Sequence, residues 1–147
     1  MNVMQARSDL YEIYLDLAAA FRLPVRMLSR EEADRQGFHA RERAAARGLL
    51  FCEHIIYPWP RPTRDLFFEE VPNLQAGITE LFAHPACDGD ELRAYDATNA
   101  HIRVHDAACL MDPSIAELLR RHGVRRISFR ELRDLQRQDQ RGRATPG

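Results

Sequence analysis

Two apolar runs constrain the fold of this chain more than any other feature. Residues 48–57, GLLFCEHIIY, are almost continuously apolar and have a turn-forming segment on each side. Residues 77–85, GITELFAHP, have the same character. A strand inside a parallel sheet is covered on both faces, so it reads as a continuous apolar run and not as an alternating one. The two runs therefore predict buried strands of a parallel sheet.

Helical patterns separate these runs. Residues 8–21, SDLYEIYLDLAAAF, place apolar side chains three and four residues apart, and Ser8 is the predicted N-cap. Asp112 and Pro113 begin a later helix that Gly123 ends. The predicted series is a helix at 8–21, a strand at 23–28, a helix from 29, a strand at 48–57, a helix at 63–74, a strand at 77–85, helices at 97–110 and 113–122, a strand at 124–129 and a helix at 130–138. This alternation favours an α/β fold with a parallel sheet.

The length and composition fit one domain. A chain of 147 residues with 45% apolar and 29% charged residues is long enough to bury a sizeable core. We expect a single α/β domain at 1–139 and a disordered tail at 140–147. The net charge of −1 argues against a general polyanion binder. The arginines of the C-terminal segment are interleaved with acids, so we expect no nucleic-acid partner.

The cysteines and the N-terminus indicate the compartment. Cys52, Cys87 and Cys109 are an odd number at irregular spacing, which is neither a disulfide framework nor a CxxC metal site. The N-terminal residues lack the apolar core of a signal peptide. No apolar run approaches the length of a membrane span. We therefore expect a cytoplasmic protein without a membrane partner.

His84 is the leading candidate for a catalytic residue. It ends the second apolar run, and the turn CDGDE at 87–91 follows it closely. The C-terminal ends of parallel strands are where α/β folds place functional residues. An imidazole titrates near neutrality and so suits proton transfer. The alternative is a histidine that only caps the end of a strand.

Three segments of the chain carry a family pattern. They are YLDLAAAFRLPVRM, GITELFAHPACDGDELRAY and DPSIAELLRRHGVRRISFRELRDLQR, and together they extend over residues 8–137. In sequence, order and spacing they resemble the YdjC-like carbohydrate deacetylases, also called the ChbG/HpnK group. The middle segment is the most specific of the three.

The resemblance implies a hydrolase that removes acetyl groups from N-acetylated sugars on a TIM-like (β/α) barrel. It also implies a divalent metal, Mg²⁺ or Zn²⁺. In the family, an N-terminal strand ends in an Asp-Asp pair, which supplies the general base and one metal ligand, and two histidines complete the metal site. A later histidine in a Glu-Leu-x-x-His-Pro motif acts as acid or oxyanion partner. His84 in ELFAHP matches that position.

The departure from the family is large. Neither the Asp-Asp pair nor the His-x-x-His-type motif has a counterpart in these residues. We therefore expect a partial TIM-like barrel with parallel strands that lacks the family's N-terminal strands. Metal-assisted deacetylation needs a cation to polarise the carbonyl and activate the water. The chain alone is accordingly expected to bind no metal and to be inactive.

Three further residues are candidates for substrate binding. Trp59, in the loop YPWPRP, offers a flat ring for stacking on a sugar, or it anchors the loop by packing. Arg26, late in the predicted strand at 23–28, orients a substrate acetyl group, or it forms a salt bridge. Asp88, in the turn after His84, contacts sugar hydroxyls, or it belongs to the N-terminal cap of the following helix.

Other histidines do not form a recognisable metal motif. His101 and His105 stand four residues apart on a predicted helix, as a ligand pair would, but we favour solvated side chains. Cys52 and His54 share one face of the predicted strand and could point toward His84, although core packing is favoured.

Two functions follow from the sequence. The first is a metal-dependent carbohydrate deacetylase whose N-terminal metal-binding motifs are missing from this chain. The alternative is a non-catalytic remnant that binds sugar or assists assembly. A partial barrel leaves strand edges and an apolar sheet face open, so we expect a homo-oligomer.

Overall fold

The computed structural model describes residues 7–37 and 39–144 and divides the chain into two compact units. The first unit comprises Met1–Ile55 and Ile127–Gly147, and the second comprises Ile56–Arg126. The expectation of a single domain stays a prediction.

Helices form most of the described chain. In order the elements are α1 Ser8–Phe21, α2 Arg30–Gln36, α3 Ala40–Ala46, β1 His54–Ile56, α4 Thr63–Glu70, a 3-10 turn Val71–Asn73, β2 Thr79–Leu81, α5 Asp90–Asp96, α6 Ala100–Met111, α7 Pro113–Arg121 and α8 Phe129–Ala144. None of the helices in the described ranges is long and apolar enough to cross a membrane.

The sheet is smaller than the sequence predicts. β1 and β2 form a parallel sheet of two strands, each of three residues. The described residues thus show a mixed, mainly helical arrangement that is consistent with a partial α/β fold, and they show no barrel. Of the predicted strand at 48–57, only His54–Ile56 near its end is a strand, and of the predicted strand at 77–85, only Thr79–Leu81 is.

The first apolar run is not a strand before His54, because a helix satisfies its backbone. The Leu50 N–H donates to Oε1 of Gln136 on α8 at 2.7 Å, and Nε2 of Gln140 donates to the Gly48 carbonyl at 3.4 Å. The Leu50 carbonyl accepts the Val25 N–H at 2.9 Å. Buried backbone groups need partners, and side-chain amides here take the place of a neighbouring strand.

Two other predicted strands are also wrong. Residues 23–28 form no strand. The Arg26 N–H donates to the Tyr14 hydroxyl at 3.1 Å, and the Val25 N–H donates to the Leu50 carbonyl at 2.9 Å. At 124–129 the chain leaves α7 through a turn in which the Val124 N–H donates to the Leu119 carbonyl at 2.9 Å. Residue 129 already begins α8, which extends to Ala144 through part of the expected tail.

The core of the first unit forms where α1 and α3 pack against residues 25–27 and Leu49. Its buried residues are Tyr11, Leu15, Ala18, Val25, Met27, Ala40, Ala44 and Leu49. The Tyr11 hydroxyl donates to the Ala40 carbonyl at 3.0 Å and lies 3.0 Å from Sδ of Met27. Burial raises the pKa of this phenol well above its usual value. Tyr11 is therefore a neutral hydrogen-bond donor inside an apolar cluster.

Replacing Tyr11 with Phe should lower the free energy of unfolding by about 1–2 kcal/mol, because the buried Ala40 carbonyl loses its donor. Denaturant titration measures the change. Tyr95→Phe is the matched control, since that side chain is 83% exposed, and it should leave stability unchanged. An equal loss in both variants would contradict the role of the buried hydroxyl.

The core of the second unit lies between α6, α7 and the 3-10 turn. Its buried residues are Val71, Cys109, Ile115, Leu118 and Leu119. The start and end of α7 are confirmed: the Asp112 carboxylate accepts the Ser114 N–H at 2.8 Å, and Gly123 has a φ of 66°. The predicted cap at Ser8 is wrong, because Ser8 is already helical and Arg7 is the cap residue.

One face of α1 is apolar and exposed. Ile13, Leu17 and Phe21 follow each other at four-residue intervals, with exposed fractions of 56%, 54% and 65%. Exposed apolar patches of this kind are typical of interaction surfaces. The expected self-association stays a prediction, which light scattering would test.

Candidate functional site

His84 lies in the loop that follows β2, inside the second unit, and two aromatic rings surround it. The centroid of its imidazole lies 5.2 Å from that of Trp59 at an interplanar angle of 72°, and 5.4 Å from that of Phe82 at 81°. These are edge-to-face arrangements, which hold aromatic rings in preferred orientations. We refer to His84, Trp59 and Phe82 as the aromatic cluster.

Asp106 on α6 fixes the backbone at two points beside this cluster. One carboxylate oxygen accepts the His84 N–H at 2.8 Å, and the other accepts the Thr63 N–H at 3.3 Å. Asp106 is only 1% exposed. A buried carboxylate is tolerated when charge-assisted hydrogen bonds replace its hydration. Asp106 therefore ties the start of α4 to the loop that carries His84.

Arg103 lies one turn before Asp106 on α6 and holds Trp59 from another direction. Its guanidinium carbon lies 5.4 Å from the centroid of the Trp59 ring, within the range of a cation–π interaction. Its Nε donates to the Asp96 carboxylate at 2.9 Å. This hydrogen bond, with a second one from Asn99, holds the pKa of Asp96 below its usual value. Arg103 is thus itself held in place.

Contacts within the described residues leave one polar atom of the cluster unsatisfied and one of its rings partly exposed. Nδ1 of His84 is buried and has no hydrogen-bond partner among residues 7–37 and 39–144. The Trp59 side chain is 37% exposed although His84 and Arg103 contact it. The exposed part of the indole can contact the apolar face of a ligand. The packing and stacking interpretations of Trp59 are therefore compatible.

The other two predicted binding residues do not join this cluster in the described structure. Arg26 belongs to the first unit. Asp88 is exposed, and its carboxylate forms an ion pair with Arg93 on α5. This contact agrees with the alternative in which Asp88 supports the start of the following helix. A role in substrate binding stays a prediction for both residues.

Residues 7–37 and 39–144 contain no group of three or more His, Cys, Asp or Glu side chains that could hold an ion, and the divalent metal of the family stays a prediction. His101 and His105 are exposed on α6. Cys52 is buried, and its carbonyl accepts a hydrogen bond from Arg41 at 3.1 Å.

Sequence reasoning missed Arg103 and Asp106 as parts of the site. A signal was available, because an Arg and an Asp three residues apart face the same side of a helix. What the sequence does not reveal is that this side faces His84, which lies 22 positions from Asp106.

Comparisons with known proteins support the fold only. No protein-family model matches the chain, and no curated protein matches it. A solved structure of a proposed cellobiose-phosphate cleavage protein from Enterococcus faecalis V583 is similar over 89% of this chain, with a TM-score of 0.65 and 19% sequence identity. This chain spans about half (50%) of that protein. The described residues therefore have a fold similar to half of that larger protein.

Proposed function

We propose that this chain belongs to a carbohydrate-processing hydrolase of the YdjC-like deacetylase type, which acts on N-acetylated sugars. The observation that carries the proposal is the aromatic cluster, in which the His84 of the ELFAHP motif contacts Trp59. The similar solved structure supports it, because that protein is described as acting on cellobiose phosphate, which is a carbohydrate.

His84 has the properties of a proton donor to the departing amine. Deacetylation needs an acid at that nitrogen, and a histidine in hydrogen-bond reach can serve. The Asp106 carboxylate holds the backbone of His84, and edge-to-face contacts with Trp59 and Phe82 orient its ring. A positioned acid is more effective than a mobile one. Trp59 would contact the apolar face of the sugar ring. The metal chemistry of the family is not assigned to any of the described residues.

The only tryptophan of the chain provides a direct test. Adding N-acetylglucosamine should change the Trp59 emission saturably, with a dissociation constant of roughly 1–10 mM, the weak range expected for one small sugar. His84→Ala should alter the sugar-dependent change. His101→Ala is the control, because His101 is an exposed histidine on α6 outside the cluster. Emission that does not respond to the sugar would contradict the proposal.

Acetate release separates the two functions that the sequence allows. Release of acetate from N-acetylglucosamine that His84→Ala abolishes would support the deacetylase. Sugar binding without acetate release, also after addition of Zn²⁺ or Mg²⁺, would favour the non-catalytic sugar-binding protein.

A further inference from the structure

The helix α5 lies on the surface of the second unit. None of its residues is buried, and Tyr95 is 83% exposed. In the described part of the chain, Asp96 is the only residue of α5 whose side chain forms a hydrogen bond with another helix, and its partner is Nε of Arg103 on α6 at 2.9 Å. An element with little buried surface has low local stability, so this contact contributes much of what holds α5 against α6.

The ion pair of Asp96 and Arg103 is partly enclosed. The two side chains are 17% and 23% exposed, whereas the pair that Arg93 forms with Asp90 on the same helix has exposed fractions of 53% and 104%. Nδ2 of Asn99 also donates to the Asp96 carboxylate, at 2.8 Å. Water competes less with an enclosed and hydrogen-bonded pair than with an exposed one. The carboxylate of Asp96 is therefore a fixed acceptor for the guanidinium.

Arg103 connects this acceptor to the aromatic cluster. Its backbone is held in α6, and its carbonyl accepts the Ala86 N–H at 3.2 Å. Its guanidinium carbon lies 5.4 Å from the centroid of the Trp59 ring. Among residues 7–37 and 39–144, Asp96 is the only hydrogen-bond acceptor of that guanidinium. Without Asp96 the long side chain would turn toward water, and Trp59 would lose the cation beside its ring.

We propose that Asp96 is a positioning residue that acts on Trp59 through Arg103, so that the docking of α5 onto α6 and the orientation of the Trp59 ring are coupled. A ring that is already fixed loses less freedom when a ligand binds to it. Docking of α5 accordingly favours sugar binding at the aromatic cluster, a consequence that rests on the function proposed above. Coupling is reciprocal, so a sugar at Trp59 in turn stabilises α5 against α6.

Trp59 emission of the ligand-free chain tests the positioning. Asp96→Ala should shift the emission maximum, and Arg103→Met should shift it in the same direction, because both changes remove the guanidinium from the ring. The double variant should show no further shift, since Asp96 acts only through Arg103. Asp90→Ala is the matched control on the same helix, and its emission should equal that of the unchanged chain. Additive shifts, or equal emission of Asp96→Ala and Asp90→Ala, would overturn the proposal.

Titration with N-acetylglucosamine tests the coupling. Asp96→Ala should weaken binding about three- to tenfold, whereas Asp90→Ala should leave it unchanged. The sugar should also slow hydrogen exchange of the α5 amides in the unchanged chain more than in Asp96→Ala. Equal affinities of the two variants would refute the coupling. If the unchanged chain did not bind the sugar, the proposed function would fail, while the emission of the ligand-free variants would still decide whether Asp96 positions Trp59.

Discussion

Replacing Asp106 with Ala should lower the free energy of unfolding by about 3–5 kcal/mol. The carboxylate accepts the N–H groups of Thr63 and His84, and both donors lose their acceptor when it is removed. Each unsatisfied buried group costs about 1–3 kcal/mol, and the hydrogen bonds lost are charge-assisted. This is a large part of the stability of an ordinary domain, which is about 5–15 kcal/mol. Denaturant titration measures the loss.

The same variant should also disturb the aromatic cluster. Without Asp106 the loop of His84 is no longer tied to the start of α4, so the Trp59 emission of the folded chain should change. Asp106→Asn should be intermediate, since one oxygen remains as an acceptor while the amide nitrogen faces the other N–H. Asp65→Ala, at an exposed position of α4, should cost less than about 1 kcal/mol. If Asp106→Ala were as stable as Asp65→Ala, Asp106 would not anchor the loop.

Replacing Arg41 with Met should cost about 3–5 kcal/mol in the first unit. The side chain is 8% exposed and donates to the carbonyls of Leu28, Cys52 and Glu53 at 2.9, 3.1 and 3.2 Å. Burial, and secondarily the charge of Arg30, lower the pKa of this guanidinium. Its removal leaves three carbonyls without their donor, each at a cost of about 1–3 kcal/mol, less what the apolar side chain recovers.

Lysine should not rescue this position. The guanidinium of Arg41 donates from Nη1 to Leu28 and from Nη2 to Cys52 and Glu53. The single ammonium group of a lysine cannot donate in both directions with this geometry. Arg43→Met on the same helix is the control. Arg43 pairs with Glu12 at 2.8 Å, but both side chains are more than a third exposed, so the loss should be below about 1 kcal/mol. Comparable losses for Arg41→Met and Arg43→Met would refute the structural role of Arg41.

The sequence predicted those helices whose signals are local. α1 ends at Phe21, where the periodic pattern ends, and α7 has the Asp112 cap and the terminal Gly123 that the sequence indicates. Each of these features depends on contacts within a few residues along the chain. The position of His84 after a strand was predictable for the same reason, because the apolar run itself forms β2.

The sequence did not predict which groups form hydrogen bonds with the backbone of the predicted strands. Residues 48–53 look like a buried strand, but Gln136 of α8, which is 86 positions from Leu50, supplies the partner. A polar side chain at that distance leaves no trace in the pattern of the apolar run.

The predicted strand at 23–28 is wrong for a similar reason, because the Tyr14 hydroxyl accepts the Arg26 N–H. At 124–129 the cause is local: the chain turns after α7, where the Val124 N–H donates to the Leu119 carbonyl. The predicted sheet is therefore too large.

For this protein, the sequence by itself determined the helices whose signals are local, the two apolar runs and the candidate histidine, which lies in the loop after β2. It also supplied the family resemblance, because that depends on residues and their spacing along the chain. The tertiary structure alone decided that Asp106 and Arg103 hold His84 and Trp59, and that a buried glutamine accepts the Leu50 N–H. The physical reason is that a buried polar group takes whichever partner lies near it in space, and packing between distant segments determines which one does.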